Sequence, residues 1–113
     1  IKDNDEAIRL EPKFTRAYVS RGLAWHQKKE YDKAIADFDA ALKIDPRYAK
    51  AYNNRGIVWL DKKDYDKAIA DFDAAIRVDP ELIWAYQNRG TAWAERKDMD
   101  KALRDFEQAI QID

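Results

Sequence analysis

Apolar positions along the chain follow a helical period that short polar segments interrupt. Tyr18, Gly22 and Trp25 are spaced at i, i+4 and i+7, which places them on one face of a helix with 3.6 residues per turn. A second apolar stripe follows a polar break and consists of Tyr31, Ala34, Ile35, Phe38, Ala41 and Leu42. No useful length of chain alternates apolar and polar residues with period two, so we predict helices and no strands.

This two-helix pattern recurs at one fixed interval along the chain. The chain has three glycines and three prolines, and both sets keep the same spacing, as Gly22, Gly56, Gly90 and Pro12, Pro46, Pro80. Glycine widens and proline restricts the backbone conformations available at its position. Their regular recurrence therefore indicates one repeated structural unit. We divide the chain into residues 1–14, the second helix of a truncated preceding repeat, and three repeats at 15–48, 49–82 and 83–113.

The repeated pattern Y-x-x-R-G-x-x-W, then A-x-x-x-F-x-x-A, then D-P resembles the tetratricopeptide repeat (TPR). That family is built from a helix-turn-helix motif of about 34 residues. In the middle repeat the signature positions are Tyr52, Gly56, Trp59, Ala68, Phe72, Ala75 and Pro80. The resemblance implies an all-α fold, a right-handed α-solenoid of about seven helices. It also implies that the first helices of the repeats line a concave groove that binds a peptide or partner protein.

The chain departs from the TPR pattern at two repeated positions. The family usually has leucine before the glycine, whereas this chain has Arg21, Arg55 and Arg89. An aspartate follows each arginine at a constant separation, at Asp37, Asp71 and Asp105. We predict that each arginine pairs with its aspartate on the second helix, in a structural role, because a semi-buried guanidinium needs a partner. Lysine (Lys29, Lys63, Lys97) replaces the usual glycine between the two helices.

The resemblance also assigns groove-facing places, which differ from repeat to repeat while the core scarcely changes. In the first repeat the candidate peptide-binding residues are Arg16, Val19, Ser20, Leu23 and His26. In the second they are Lys50, Asn53, Asn54, Ile57 and Leu60, and in the third Trp84, Gln87, Asn88 and Thr91.

Asn54 and Asn88 occupy the same helical place one repeat apart. An amide side chain both donates and accepts hydrogen bonds, so the pair is a candidate ladder that grips a peptide backbone. The alternative is that each amide bonds to a neighbouring helix or to water. Trp84 is the one tryptophan outside the repeat register, and is either an interface anchor or packed on the preceding helix. His26 is interpreted as a polar groove residue, with pH sensing as the alternative.

The sequence does not match the best-known TPR binding mode, in which lysine, asparagine and arginine clamp the carboxylate of a chaperone peptide. Val19 and Leu23 stand where that mode has lysine and asparagine, and Trp84 and Asn88 replace lysine and arginine. Only Asn54 agrees. We therefore do not assign a chaperone carboxylate clamp.

Candidate catalytic and metal-binding residues are scarce. The chain has one histidine and no cysteine, so a multi-histidine or Cys/His metal site cannot be built. Ser20 and His26 lie on offset helical turns, which does not favour a nucleophile–base pair. There is no glycine-rich phosphate loop, and a net charge of −1 without a basic cluster does not favour nucleic acid. We expect no enzyme activity, no cofactor, no metal, no nucleic acid and no membrane partner.

The ends of the sequence suggest a piece of a longer array. Ala7, Ile8, Leu10 and Pro12 align with the end of a second helix, while Asn4 stands where the repeats carry phenylalanine. No polar capping helix follows the third repeat, so self-association through uncapped ends is a possible partner mode. The favoured interpretation is a protein–protein interaction scaffold. The alternatives are a structural, self-associating array and a regulatory segment of a larger multidomain protein.

Overall fold

The computed structural model describes the backbone of residues 4–112 and the side chains of residues 14–112. This part of the chain forms six helices: α1 (Asn4–Gln27), α2 (Tyr31–Ile44), α3 (Ala49–Asp61), α4 (Tyr65–Val78), α5 (Ile83–Glu95) and α6 (Met99–Ile112). Residues 4–112 contain no strand. The all-α class predicted from the sequence is confirmed.

The chain divides into two compact units, residues 1–48 and residues 49–113. In the first unit α1 packs against α2. In the second unit α3 packs against α4, α4 against α5 and α5 against α6, and α3 also contacts α5. The pairs α1–α2, α3–α4 and α5–α6 are therefore helix-turn-helix units.

The turn after α3 shows how such a pair is closed. The amide of Asp64 donates to the carbonyl of Trp59, and the amide of Lys63 donates to that of Leu60, both at 2.9 Å. This is the hydrogen-bond pattern of a Schellman motif, which needs a left-handed residue at its centre. Lys63 supplies it with φ of 65°, and Lys29 and Lys97 do the same with φ of 62° and 70°. Lysine thus takes the backbone conformation that glycine adopts most easily.

Gly56 allows α3 to approach α4 closely. A Cβ atom at this position would lie 2.5 Å from Cε1 of Phe72, whose side chain is fully buried. Gly22 and Gly90 meet the phenylalanines of their own repeats in the same way, at 2.7 and 2.6 Å. Glycine on the apolar stripe thus permits close packing of the two helices in each repeat.

The second unit has its own apolar core between α4 and α5. Ala68, Ile69 and Phe72 of α4 and Ala92 of α5 form a buried cluster. The half-buried residues that pack against this cluster are Ile57, Trp59, Leu60 and Trp93. Ile69, Phe72 and the two tryptophans belong to the repeated stripes, so the stripe that recurs in the sequence is buried here. Ile57 and Leu60 were expected to face the groove, and they also contact this core.

Aspartate side chains shape the backbone after α2 and α4. Oδ1 of Asp45 accepts a hydrogen bond from the amide of Arg47, and Oδ1 of Asp79 accepts one from the amide of Glu81, each at 3.1 Å. This is the Asx-turn arrangement, in which a short side chain bonds to the backbone two residues on. It leads the chain out of the helix at the Asp-Pro sequence.

The structure differs from the expectation at the N-terminal end. α1 continues without a break from Asn4 to Gln27, so residues 4–14 of the separate helix expected over residues 1–14 belong to α1, and residues 1–3 lie outside the described part. Pro12 lies within this helix, although proline lacks a backbone donor and disfavours helical geometry at the residue before it. The described residues accordingly contain six helices, close to the expected number of about seven. The side chain of Asn4 lies outside those that the structure describes.

Candidate functional site

The predicted arginine–aspartate pairs are confirmed in all three repeats. Nε of Arg55 donates to Oδ2 of Asp71, and Nη2 donates to Oδ1, both at 2.8 Å. The same two-bond geometry, at 2.7–2.8 Å, joins Arg21 to Asp37 and Arg89 to Asp105. The three aspartates are buried. A planar guanidinium satisfies both oxygens of a buried carboxylate, so these pairs tie the two helices of each repeat together.

Arg89 makes one further bond that joins repeats. Its Nη1 donates to Oδ1 of Asp73 at 2.7 Å, so one guanidinium of α5 contacts both α4 and α6. The pKa of Arg89 is raised above its ordinary value, chiefly by the hydrogen bond to Asp105 and also by Asp73, while burial acts in the opposite direction. The pKa of Arg21 is raised by its hydrogen bond and charge interaction with Asp37. These arginines are fully charged parts of the scaffold.

The in-register tryptophans lie beside cationic side chains. Nζ of Lys67 lies 4.5 Å from the ring centroid of Trp59, and Nζ of Lys62 lies 6.0 Å from it. Lysine ammonium groups also lie 4.5 Å from Trp25 and 4.4 Å from Trp93. These are cation–π distances. Each of these tryptophans is half-buried, and the ammonium group of a lysine lies close to each ring.

The candidate residues of the second unit lie on α3 and α5, which contact each other. We call the accessible set the α3/α5 surface; it consists of Lys50, Asn54, Ile57, Leu60, Trp84, Gln87, Asn88 and Thr91. Lys50, Gln87 and Thr91 are exposed, and the asparagines, Ile57 and Leu60 are half-buried. Trp84 is 57% exposed, which is inconsistent with a role as a core residue. The hydroxyl of Thr91 donates to the carbonyl of Gln87 on its own helix.

Asn88 is held in place by a residue of the neighbouring repeat. Its Nδ2 donates to Oδ1 of Asn53 at 3.1 Å. Asn53 was expected to offer its side chain to a ligand, but it is only 5% exposed and its Oδ1 accepts the hydrogen bond from Asn88. The bond leaves the carbonyl oxygen of the Asn88 amide available as an acceptor. This contact was not predicted from the sequence, although Asn88 follows Asn53 by one repeat plus one residue.

The remaining candidate residues lie on α1 in the first unit. Arg16, Ser20 and Leu23 are exposed, and His26 is half-buried with its ring centroid 5.8 Å from that of Tyr31. Val19 was expected in the groove but is buried, so its side chain is not accessible to a ligand. An apolar β-branched side chain at this place is more stable when it is withdrawn from water.

Two contacts between α4 and α5 were not predicted. Nη1 of Arg96 lies 2.9 Å from Oδ1 of Asp66, and the hydroxyl of Tyr65 donates to Oε1 of Glu95 at 3.4 Å. Together with the Arg89–Asp73 bond, they make the packing of one repeat on the next a charged as well as an apolar contact.

The described residues contain neither a candidate metal-binding cluster nor a candidate membrane-spanning helix. Among them, no group of three or more histidine, cysteine, aspartate or glutamate side chains could hold a metal ion. Within the described range, no helix combines the length and apolar character that crossing a membrane requires.

Comparisons with known proteins agree on one family. A model described as TPR repeat matches residues 22–63, and two described as tetratricopeptide repeat match residues 49–82 and 85–113. No curated protein matches the chain.

Several solved structures, two of them named as TPR domains, resemble the chain over most of its length. The second TPR of Spaghetti (RPAP3), bound to the HSP90 peptide SRMEEVD, is 25% identical with a TM-score of 0.89, covering 96% of this chain and 99% of that chain. The TPR2B domain of yeast Sti1, in a complex with pHsp70, is 26% identical with a TM-score of 0.87, covering 89% and 81%. MamA is 30% identical with a TM-score of 0.83, covering 96% and 67%.

The recurring helix pairs and their glycine–phenylalanine contacts agree with these matches. The chain belongs to the tetratricopeptide repeat family.

Proposed function

We propose that the chain is a non-catalytic interaction scaffold that binds an extended peptide, or an extended segment of a partner protein, on the α3/α5 surface. We propose the same role for the exposed candidate positions of α1. The observation that carries the proposal is the exposure of Trp84. A tryptophan with 57% of its surface in water has an apolar area that a partner can cover, and such residues dominate many interfaces.

The amides near Trp84 supply the polar part of the proposed contact. Asn54 and Asn88 are half-buried on the two contacting helices, and Asn53 fixes the orientation of Asn88. Because a fixed amide loses little side-chain freedom on binding, a hydrogen bond to a peptide backbone forms at a lower entropic cost. A backbone contact of this kind tolerates different peptide sequences, and Trp84 then selects for an apolar side chain nearby.

Two of the similar structures support a peptide ligand. The Spaghetti TPR is bound to an HSP90 peptide and the Sti1 TPR2B domain is in a complex with pHsp70. The side chains of this chain differ from the carboxylate clamp, since Trp84 and Asn88 stand where cations are expected. We therefore propose that the ligand is recognised through its backbone and an apolar side chain rather than through a terminal carboxylate.

A displayed library of random peptides tests the proposal. The best binder is measured by calorimetry against the wild type, Asn54→Ala, Trp84→Ala and the control Met99→Ala. Met99 is a matched control because it is an exposed large apolar residue, 54%, outside the α3/α5 surface. We expect Trp84→Ala and Asn54→Ala each to weaken binding about tenfold, and Met99→Ala to leave it unchanged.

The peptide SRMEEVD serves as the second probe and should bind at least about tenfold more weakly than the selected peptide. Failure to select any binder, or an equal loss of affinity in Met99→Ala and Trp84→Ala, would contradict the proposed surface. Tight binding of SRMEEVD would instead show that a carboxylate is recognised without the expected cations.

A further inference from the structure

A cleft between α5 and α6 lies outside the surface described so far, and we call it the α5/α6 cleft. Its volume is about 530 Å³. The side chains of α5 that line it are Tyr86, Arg89 and Trp93. Those of α6 are Lys101, Arg104, Asp105 and Gln108. Three cations and one carboxylate are among these side chains, so the lining of the cleft carries a positive charge.

The α5/α6 cleft and the α3/α5 surface use opposite sides of α5. Trp84 and Asn88 belong to the α3/α5 surface, whereas Tyr86, Arg89 and Trp93 line the cleft. Tyr86 follows Trp84 by two residues, and two residues turn an α-helix by about 200°. An occupant of one site therefore leaves the other site free.

Two of the three cations in the cleft already have carboxylate partners. Arg89 donates to both oxygens of Asp105 and to Oδ1 of Asp73. Nζ of Lys101 lies 3.9 Å from Oδ2 of Asp98. The charges of these two side chains are therefore balanced within the chain.

The third cation, Arg104, is in a different situation. Its side chain is exposed, and among residues 14–112 no side chain forms an ion pair or a hydrogen bond with it. Gln108 is also exposed and follows Arg104 by four residues, so the two side chains are neighbours on one face of α6. Their guanidinium and amide groups can donate to the same acceptor.

The packing of a repeat does not require these two side chains. Ala70 and Ala74 stand at the corresponding positions of the second repeat, and alanine occupies both positions in the first repeat as well. Arg104 and Gln108 thus bring hydrogen-bond donors to a place where the other repeats have methyl groups. The third repeat alone carries them, as it alone carries Trp84.

We propose that the α5/α6 cleft is a second binding site, which takes an aspartate or glutamate side chain from an acidic segment of a partner protein. The carboxylate accepts hydrogen bonds from the guanidinium of Arg104 and the amide of Gln108. A planar guanidinium matches a carboxylate with two parallel bonds. One unpaired cation also matches the single charge of a carboxylate, whereas a phosphate group carries a charge of about −1.5 to −2.

A nuclear magnetic resonance titration of the full chain, labelled with nitrogen-15, tests this proposal. The probe is a tetraglutamate peptide with both ends blocked, and the control peptide is tetraglutamine. The side-chain amide of Gln108 and the indole of Trp93 report on the cleft, while the indole of Trp84 reports on the α3/α5 surface. Arg104→Ala removes the unpaired cation. Arg47→Ala is the matched control, because it removes the same charge from an exposed position of the first unit.

We expect tetraglutamate to shift the signals of Gln108 and Trp93 and to leave that of Trp84 in place, and tetraglutamine to shift none of them. Arg104→Ala should weaken the binding of tetraglutamate about fivefold, as the loss of an accessible ion pair does. Arg47→Ala should leave the affinity unchanged. Higher salt should weaken binding to the wild type.

The proposal is overturned if Arg104→Ala and Arg47→Ala bind tetraglutamate with equal affinity, or if the wild type does not bind it. A shift of the Trp84 indole alone would also overturn it, since the acidic segment would then lie on the α3/α5 surface. A third peptide, with one phosphoserine in place of a glutamate, separates the two anions. Binding of that peptide more than about tenfold tighter would assign the cleft to phosphate instead of carboxylate. The affinity of the library-selected peptide tests the α3/α5 surface separately.

Discussion

At the scale of single residues, the repeated positions owe their identity to specific contacts. Gly56 is glycine because the ring of Phe72 occupies the space of a Cβ atom. Asp71 is an aspartate because it accepts two hydrogen bonds from Arg55 while buried. Trp84 has no equivalent in the other repeats and is exposed. The repeated residues named here pack in the interior, whereas Trp84, which departs from the repeat register, is accessible to solvent.

Gly56→Ala should destabilise the protein although alanine favours helices. Replacing glycine by alanine in an exposed helix gains about 1 kcal/mol, whereas overpacking a core costs about 1–3 kcal/mol. The new Cβ would lie 2.5 Å from Cε1 of a fully buried ring that has no room to move, so the cost should exceed the gain. Urea unfolding of the variant measures the net loss.

Phe72→Leu provides the control for the Gly56 prediction. If the ring is the obstacle, the double variant Gly56→Ala/Phe72→Leu should lose less stability than the two single variants added together, by roughly 0.5–3 kcal/mol. Strict additivity of the two changes would show that Gly56 is required for another reason.

At the scale of helices and turns, each helix pair is closed by a lysine with a left-handed backbone. An L-residue in this conformation costs about 1–2 kcal/mol, which glycine avoids. The turns after α1, α3 and α5 all carry this strain, since Lys29, Lys63 and Lys97 share a positive φ. The backbone hydrogen bonds of the Schellman motif are nevertheless formed. The surrounding helices therefore impose the turn on a residue that does not favour it.

Lys63→Gly should stabilise the protein by up to about 1.5 kcal/mol. This is the strain removed, about 1–2 kcal/mol, less the roughly 0.5–1 kcal/mol of extra freedom that glycine has in the unfolded chain. Thermal and urea unfolding, followed by circular dichroism, measure the change.

Lys62→Gly is the matched control for the Lys63 prediction. Its position is the adjacent one and has no positive φ, so glycine should cost about 0.5–1 kcal/mol there. A loss of stability in Lys63→Gly as large as that in Lys62→Gly would show that the left-handed backbone is not strained.

At the scale of the whole molecule, the regular repeat period was sufficient to predict the helical class and the arginine–aspartate pairs. Repetition makes such features visible, because every repeat must satisfy the same packing. The continuity of α1 was not predicted because Pro12 lies within it, and proline disfavours helical geometry at the residue before it. The burial of Val19 and Asn53 was not predicted. The repeat pattern predicts only which face of the helix a residue lies on, whereas its exposure to solvent also depends on the neighbouring side chains.

The exposure of Trp84 has a practical consequence for spectroscopy. Three of the four tryptophans are half-buried beside cationic groups, and only the fourth extends most of its ring into solvent. A neutral quencher such as acrylamide therefore reaches the indole of Trp84 more readily than those of Trp25, Trp59 and Trp93. The intrinsic fluorescence of the chain consequently contains a component that reports on the α3/α5 surface alone, and an occupant of that surface can be followed without attaching a dye.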